Sequence, residues 1–158
     1  DKLGGYNTAS ARLLYEFAIL TLRQIEPKPF ATPEHKVISG MALGWDTEWA
    51  RAAIMLRIPL IAAVPFVGQE HKWPEKSQVE YRRLMAKAEN IVCVSPGGYS
   101  PEKMQKRNEW MVDNCHKLVA LWNGTPGGTA NCVEYAEKVD KPVVNLWDGW
   151  VRRREVAL

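Results

Sequence analysis

Short, unbroken apolar runs recur along this sequence, each flanked by stretches with helical patterning, and that alternation limits the fold more than any other feature. Residues 36–39, 60–64, 91–94, 118–122 and 142–146 read as five strands. A parallel strand covered by helices on both faces needs no polar alternation, and these runs show almost none. Between them lie helices. Residues 10–25 place Leu13, Leu14, Phe17, Ala18 and Leu22 at helical spacing, and Pro27 and Pro29 close the stretch. Further helices are expected over 46–56 with Asp46 as N-cap, 77–88 entered through Pro74, 101–114 with Pro101 in the first turn, and 129–138. This alternation predicts a Rossmann-like α/β fold, a mainly parallel sheet with helices on both faces. The 158 residues fit a single domain, 1–158. The chain opens on Gly4-Gly5 with no strand before it, so a first strand is expected to be missing.

Composition removes several function classes. No run approaches the ~20 apolar residues of a membrane span, and no apolar leader is visible. The net charge of +3 is too small to argue for nucleic acid. The basic triplet Arg152-Arg153-Arg154 reads as a solvated tail. Cys93, Cys115 and Cys132 are odd in number, widely spaced and free of any Cys-x-x-Cys pair. Neither a zinc site nor a disulfide framework is indicated, and a reduced, cytoplasmic protein is expected. Cys93, inside an apolar run, reads as core. His35, His71 and His116 share no spacing, so no metal and no cofactor are assigned.

Unusual residues gather where strands end. The first four strands run into Ser39-Gly40-Met41-Ala42-Leu43-Gly44-Trp45-Asp46, then Pro65-Phe66-Val67-Gly68-Gln69, then Ser95-Pro96-Gly97-Gly98-Tyr99, then Asn123-Gly124-Thr125-Pro126-Gly127-Gly128-Thr129. In a parallel sheet these turns share the carboxyl edge, where open α/β folds bind ligands. Gly127-Gly128-Thr129 carries the most direct chemistry. Glycines let backbone N–H groups approach an anion, Thr129 adds a hydroxyl, and the helix N-terminus adds partial positive charge. The plainer reading is a turn that merely reverses the chain. Arg107 and Asn108 lie on the helix after the third turn; Arg107 is a fork for phosphate or, alternatively, part of a solvated face. Trp45 and Trp73 sit in turns at this edge, placed either to stack on a base or to pack. Neither GxGxxG nor GxxxxGK[ST] occurs, which argues against a standard dinucleotide dehydrogenase and a P-loop ATPase.

Together these stretches resemble the YpsA-like branch of the SLOG superfamily, named for the DprA/Smf and LOG proteins. The resemblance rests on Lys2-Leu3-Gly4-Gly5-Tyr6, on Ser39 to Gly44 with Asp46, on Ile61-Ala62-Ala63-Val64-Pro65-Phe66 with Gly68-Gln69 and Trp73-Pro74, on Tyr99-Ser100-Pro101 with Lys103-Met104-Gln105-Lys106-Arg107-Asn108, and on Gly127-Gly128-Thr129-Ala130-Asn131-Cys132. It implies a pocket for a nucleotide or nucleotide-derived, ADP-ribose-like ligand, in a sensor or ligand-binding protein. The ligand contacts it implies are Gly5, Ser39, Gly40, Met41, Gly44, Asp46, Pro65, Gln69, Arg107, Asn108, Gly124, Gly127, Gly128, Thr129 and Asn131. LOG enzymes hydrolyse the N-glycosidic bond of nucleotides through Met-His-x-Arg-Lys-x-x-Met and Pro-Gly-Gly-x-Gly-Thr-x-x-Glu motifs. Met104 to Met111 matches the first in layout, with Arg107 in the arginine place. Pro126-Gly127-Gly128-Thr129 opens like the second, but Cys132 stands three residues beyond Thr129, and the nearby Glu134 is out of place. The alternative is therefore a LOG-like phosphoribohydrolase with Arg107 and Glu134 as its catalytic pair. A third reading, DNA handling by analogy with DprA, is disfavoured by the small charge. The resemblance also implies a homodimer or higher homo-oligomer.

Overall fold

Six helices alternate with five parallel strands in the computed structural model, which describes residues 9–25 and 35–157. The order is α1 (Ala9–Ile25), β1 (Val37–Ser39), α2 (Trp45–Met55), β2 (Leu60–Val64), α3 (Glu75–Met85), β3 (Asn90–Cys93), α4 (Pro101–Asp113), β4 (Leu118–Ala120), α5 (Gly128–Lys138), β5 (Val143–Asn145) and α6 (Trp147–Val156). The strands form two parallel pieces rather than one sheet: β1-β2-β3, and β4 with β5. Val37 pairs with Leu60, Ala62 with Ile91, and Val119 with Val144. The architecture is the Rossmann-like α/β fold that the alternation predicts.

The largest core lies where α1, α2, β1, β2 and α6 meet. Leu14, Ala18 and Leu22 recur every four residues on α1 and bury one stripe of it. Ala50, Ala52 and Ala53 on α2 are fully buried, and their small size lets the helix lie close to its neighbours. Burying each of the larger aliphatic side chains contributes about 1.5–3 kcal/mol. A smaller cluster of Val112, Cys132 and Ala136 joins α4 to α5. No helix among the described residues is long and apolar enough to cross a membrane.

Three expectations need correction. The arginine triplet is not a tail: it lies in α6, where Arg153 bonds Glu16 at 3.2 Å and Trp150 is wholly buried against Phe17. Cys93 is exposed rather than core, because β3 pairs only with β2 and Ile91 beside it is 50% exposed. Asp46 is not an N-cap: α2 starts one residue earlier after Gly44, with no side-chain cap. Its carboxylate turns instead toward the preceding loop. Of the two readings of Trp45 and Trp73, the structure has packing: Trp45 lies 5.0 Å from Trp49, and Trp73 meets Tyr81 edge-on at 5.5 Å.

Candidate functional site

The site is built outward from Gly40, at the end of β1. The chain must turn there within a few residues to start α2, and it does so with Met41 at φ 57° and Gly44 at φ 90°. Met41 is a costly residue for a left-handed conformation, and its buried side chain and local bonds hold it there. Its N–H donates to Ser39 Oγ at 3.1 Å, and Ser39 Oγ donates to the Asp46 carbonyl at 2.8 Å. Thr47 Oγ1 donates to the Ala42 carbonyl at 2.8 Å, and Asp46 Oδ2 accepts the Ala42 N–H at 3.4 Å. From the β2 turn, Gln69 Nε2 reaches the carbonyls of Gly40 and Met41 at 3.3 and 3.4 Å. Pro65 is buried at the start of that turn.

Helix α4 joins this loop to the far side of the site. Ser100 caps it by accepting the Lys103 N–H at 3.3 Å, and Pro101 opens its first turn. Arg107 is only 4% exposed and Asn108 7%, so neither belongs to a solvated face. Arg107 Nη1 donates to the Gly40 carbonyl, and Arg107 Nε donates to Asn108 Oδ1 at 3.1 Å. Asn108 Nδ2 then donates to the Gly128 carbonyl at 3.2 Å. The chain of bonds thus runs from the end of β1, through two consecutive residues of α4, to the start of α5. Gly40 has no Cβ because there is no room for one: it would lie 2.5 Å from Arg107 Nη1 and 2.7 Å from Asp46 Oδ2.

A cavity of about 280 Å³ opens beside this chain of bonds. Asp46, Arg107, Asn108, Gly128 and Thr129 line it among the expected ligand residues. Ser39, Gly40 and Met41 stand behind Asp46 and Arg107 as their support. Gly44, Pro65, Gln69, Gly124, Gly127 and Asn131 do not line it, and neither does Glu134, which is exposed on α5. Gly5 falls outside the described residues. Sequence reasoning missed the apolar wall: Leu43, Met104, Met111, β4 with Leu121, Cys132 and Val133. Part of it was legible, since Met104, Arg107, Asn108 and Met111 follow the i, i+3, i+4, i+7 spacing of one helix face.

The electrostatics are those of a dry, polar corner. Burial raises the Asp46 carboxyl above its ordinary value of 3.8, against the opposing pull of Arg107 and the Ala42 N–H. Burial and then the nearby Asp46 push the Cys132 thiol up to about 12, so it is a neutral wall and not a nucleophile. At the cavity mouth, α5 presents its first turn. Gly127 at φ 147° precedes it, and a Cβ at Gly127 or Gly128 would meet nothing within 4 Å. The first N–H groups of that turn have no intrahelical acceptor and carry the positive end of the helix dipole. Among the described residues, no group of three His, Cys, Asp or Glu side chains could hold a metal ion.

The YpsA family model, described as "YspA SLOG family", matches residues 34–143, which include every residue of this corner. The chain belongs to the YpsA family. The YpsA-family chain is similar to the "Uncharacterized SPbeta prophage-derived protein YoqJ" of Bacillus subtilis (strain 168), 35% identical over 121 residues that cover 66% of this chain and 71% of YoqJ. It is also similar to a UPF0398 protein of Bacillus thuringiensis (strain Al Hakam), 26% identical over 51% of this chain and 45% of that protein. A UPF0398 protein of Bacillus cereus (strain AH820) is 26% identical over 66% of the chain and 60% of its own length. The matches thus span between about half and three quarters of these relatives, and YpsA-family membership carries with it a nucleotide-related ligand-binding or LOG-like fold.

Proposed function

We propose that this chain binds a phosphate-bearing, nucleotide-derived small molecule, of the ADP-ribose kind, at the carboxyl edge of its strands, as a sensor or ligand-binding protein. One observation carries the reading: Arg107 and Asn108, both buried, tie the Gly40 loop to Gly128 at the rim of a cavity whose mouth is a helix N-terminus. That arrangement supplies an anion with a fixed guanidinium, backbone N–H groups free of Cβ crowding, and the Thr129 hydroxyl. A cavity of about 280 Å³ is at the small end for ligand pockets, which run from ~300 Å³ upward. It suits one sugar or base with its phosphate at the mouth.

The test is ligand-induced thermal stabilisation with AMP, ADP-ribose and cyclic ADP-ribose. Gly128→Ala adds a methyl group where the structure leaves open space, so the fold keeps its stability within about 0.5 kcal/mol. The same methyl group crowds the anion, and apparent affinity falls by about tenfold, or ~1.4 kcal/mol. Shifts that are absent for all three nucleotides, or equal in both proteins, overturn the proposal. A second reading, hydrolysis of the ligand's N-glycosidic bond, is favoured by the Asp46 carboxylate lining the cavity beside Arg107. Release of free base in the same incubations, followed by chromatography, decides between the two.

A further inference from the structure

The turn between β4 and α5, residues 121–127, brings Gly128 and Thr129 to the cavity mouth. Two hinges lie within it, Gly124 at φ 83° and Gly127 at φ 147°. Glycine permits this path, but it also leaves the backbone without the restraint that a Cβ imposes. A site that works through backbone N–H groups needs them held within about 0.5 Å of their place. We propose that Asn145, at the end of β5, supplies that hold and is a positioning residue of the anion site. The proposal rests on the function stated above and adds to it the group that fixes the anion-binding turn from β5.

Asn145 is the register partner of Ala120, the last residue of β4. Its side chain carries the pairing beyond that point. Oδ1 accepts the Trp122 N–H at 3.1 Å, and Nδ2 donates to the Trp122 carbonyl at 2.8 Å. A carboxamide offers the donor and the acceptor of a peptide group, so β5 keeps its hold on the chain as far as residue 122. Oδ1 also accepts the Trp147 N–H, at the first residue of α6, at 3.2 Å. Two N–H groups on one atom and a carbonyl on the other leave the carboxamide a single orientation. Aspartate has no donor for the Trp122 carbonyl, and serine is too short to bridge both groups.

Trp122 passes the restraint along the turn. Its indole Nε1 donates to the Thr125 carbonyl at 2.8 Å, one residue past the first glycine hinge. The Thr125 N–H and Oγ1 both donate to Asn123 Oδ1, at 3.2 and 2.7 Å, and close the turn on itself. Residues 122–125 are thus braced as one piece, and Asn145 fixes that piece to β5. Pro126, with its ring-locked φ, and Gly127 alone separate it from α5, whose Gly128 carbonyl accepts from Asn108. The start of α5 is therefore gripped from two elements, α4 through Asn108 and β5 through Asn145. Trp122, Asn123 and Asn145 do not line the cavity, and Asn145 is exposed, so it acts through the turn and not through the core.

Calorimetric titration of the full chain with AMP and with adenosine, which lacks only the phosphate, tests the assignment. The wild-type chain binds AMP more tightly. In Asn145→Ala the preference for AMP over adenosine falls by about tenfold, because the turn loses its place and only the phosphate depends on it. Trp122→Phe keeps an aromatic ring, drops the N–H to Thr125 and moves the preference the same way, which keeps the claim open to refutation should Asn145→Ala not fold. Without any ligand, hydrogen exchange at the Trp122 amide quickens by roughly tenfold in Asn145→Ala, as its acceptor is gone. Equal losses for AMP and adenosine show a merely structural part and overturn the positioning role, as does an unchanged preference in the folded variant or unchanged exchange at Trp122. A wild-type chain that binds AMP no better than adenosine overturns the anion site itself, and with it the proposed function, whatever the exchange shows.

Discussion

Replacing Gly40 by alanine tests the geometry of the site at its tightest point. Gly40 is not among the residues with positive φ, so alanine meets no backbone strain and the cost is steric. The added Cβ would stand 2.5 Å from Arg107 Nη1, 2.8 Å from Arg107 Cζ and 2.7 Å from Asp46 Oδ2. Real Cβ atoms do not tolerate such approaches, so one side chain has to move. Arg107 is buried and bonded to the Gly40 carbonyl itself, and its displacement breaks that bond. Overpacking costs about 1–3 kcal/mol, and losing a hydrogen bond to a charged donor costs about 1.5–3 kcal/mol. Together Gly40→Ala is expected to lose about 3–5 kcal/mol in urea denaturation, which a domain of ordinary stability survives only narrowly.

A double-mutant cycle separates Arg107 from the other contacts. Arg107→Ala alone costs about 3 kcal/mol or more, because it removes a buried cation and leaves the Asp46 carboxylate without it. In that background only Asp46 still meets the new methyl group, so Gly40→Ala becomes cheaper by about 1–2 kcal/mol. Additive costs, or a loss below 0.5 kcal/mol in the wild-type background, would refute the claim that Gly40 is small because Arg107 lies against it.

Two further outcomes follow from buried groups. The Asp46 carboxyl titrates above 3.8 in the fold, so the folded chain binds its proton more tightly than the unfolded one. Stability therefore falls as pH rises from below 3.8 through the raised folded value, and it stays lower above that window. Asp46→Asn removes this loss: its stability relative to wild type rises across the window, read from urea denaturation in a pH series, and a flat difference would contradict the assignment. Trp150→Ala empties a fully buried site against Phe17 and costs about 3–5 kcal/mol. Near-ultraviolet circular dichroism and the melting temperature report it, and an effect below 0.5 kcal/mol would return the C-terminal segment to the status of a tail.

All five strand runs were legible because each is a short, largely apolar stretch, whether covered like Leu60–Val64 or exposed like Asn90–Cys93. Helix α4 was legible from Pro101 at its first position, and α5 from the glycines before it. What stayed hidden depends on contacts distant in sequence. An apolar four-residue run does not reveal whether it lies at an edge, so β3 read as core although both Ile91 and Cys93 are exposed. The arginine triplet drew attention from Trp147 and Trp150, whose three-residue spacing anchors α6. Asp46 looked like a cap because caps are local, whereas its charge partner Arg107 lies 61 positions later in the chain. The split of the strands into two pieces is not legible in the strand runs themselves, since pairing between strands is not written in any single stretch.

That split explains why α4 buries two polar residues, Arg107 and Asn108, beside the apolar Val112. The β1-β2-β3 and β4-β5 pieces share no ladder, so backbone bonding does not fix Gly40 relative to Gly128. Apolar packing between the pieces is non-directional and tolerates small slides. The bonds from Arg107 to Gly40 and from Asn108 to Gly128 are directional, and they act through one rigid helix. They hold the two loops at one separation, which a ligand needing contacts from both requires. Under the proposed function the dependence is mutual: an anion seated on Gly128 and Arg107 ties the pieces together again and stabilises the fold by mass action. Among the described residues, the site is thus placed where the strands have least backbone continuity, and two adjacent residues of one helix make that placement specific.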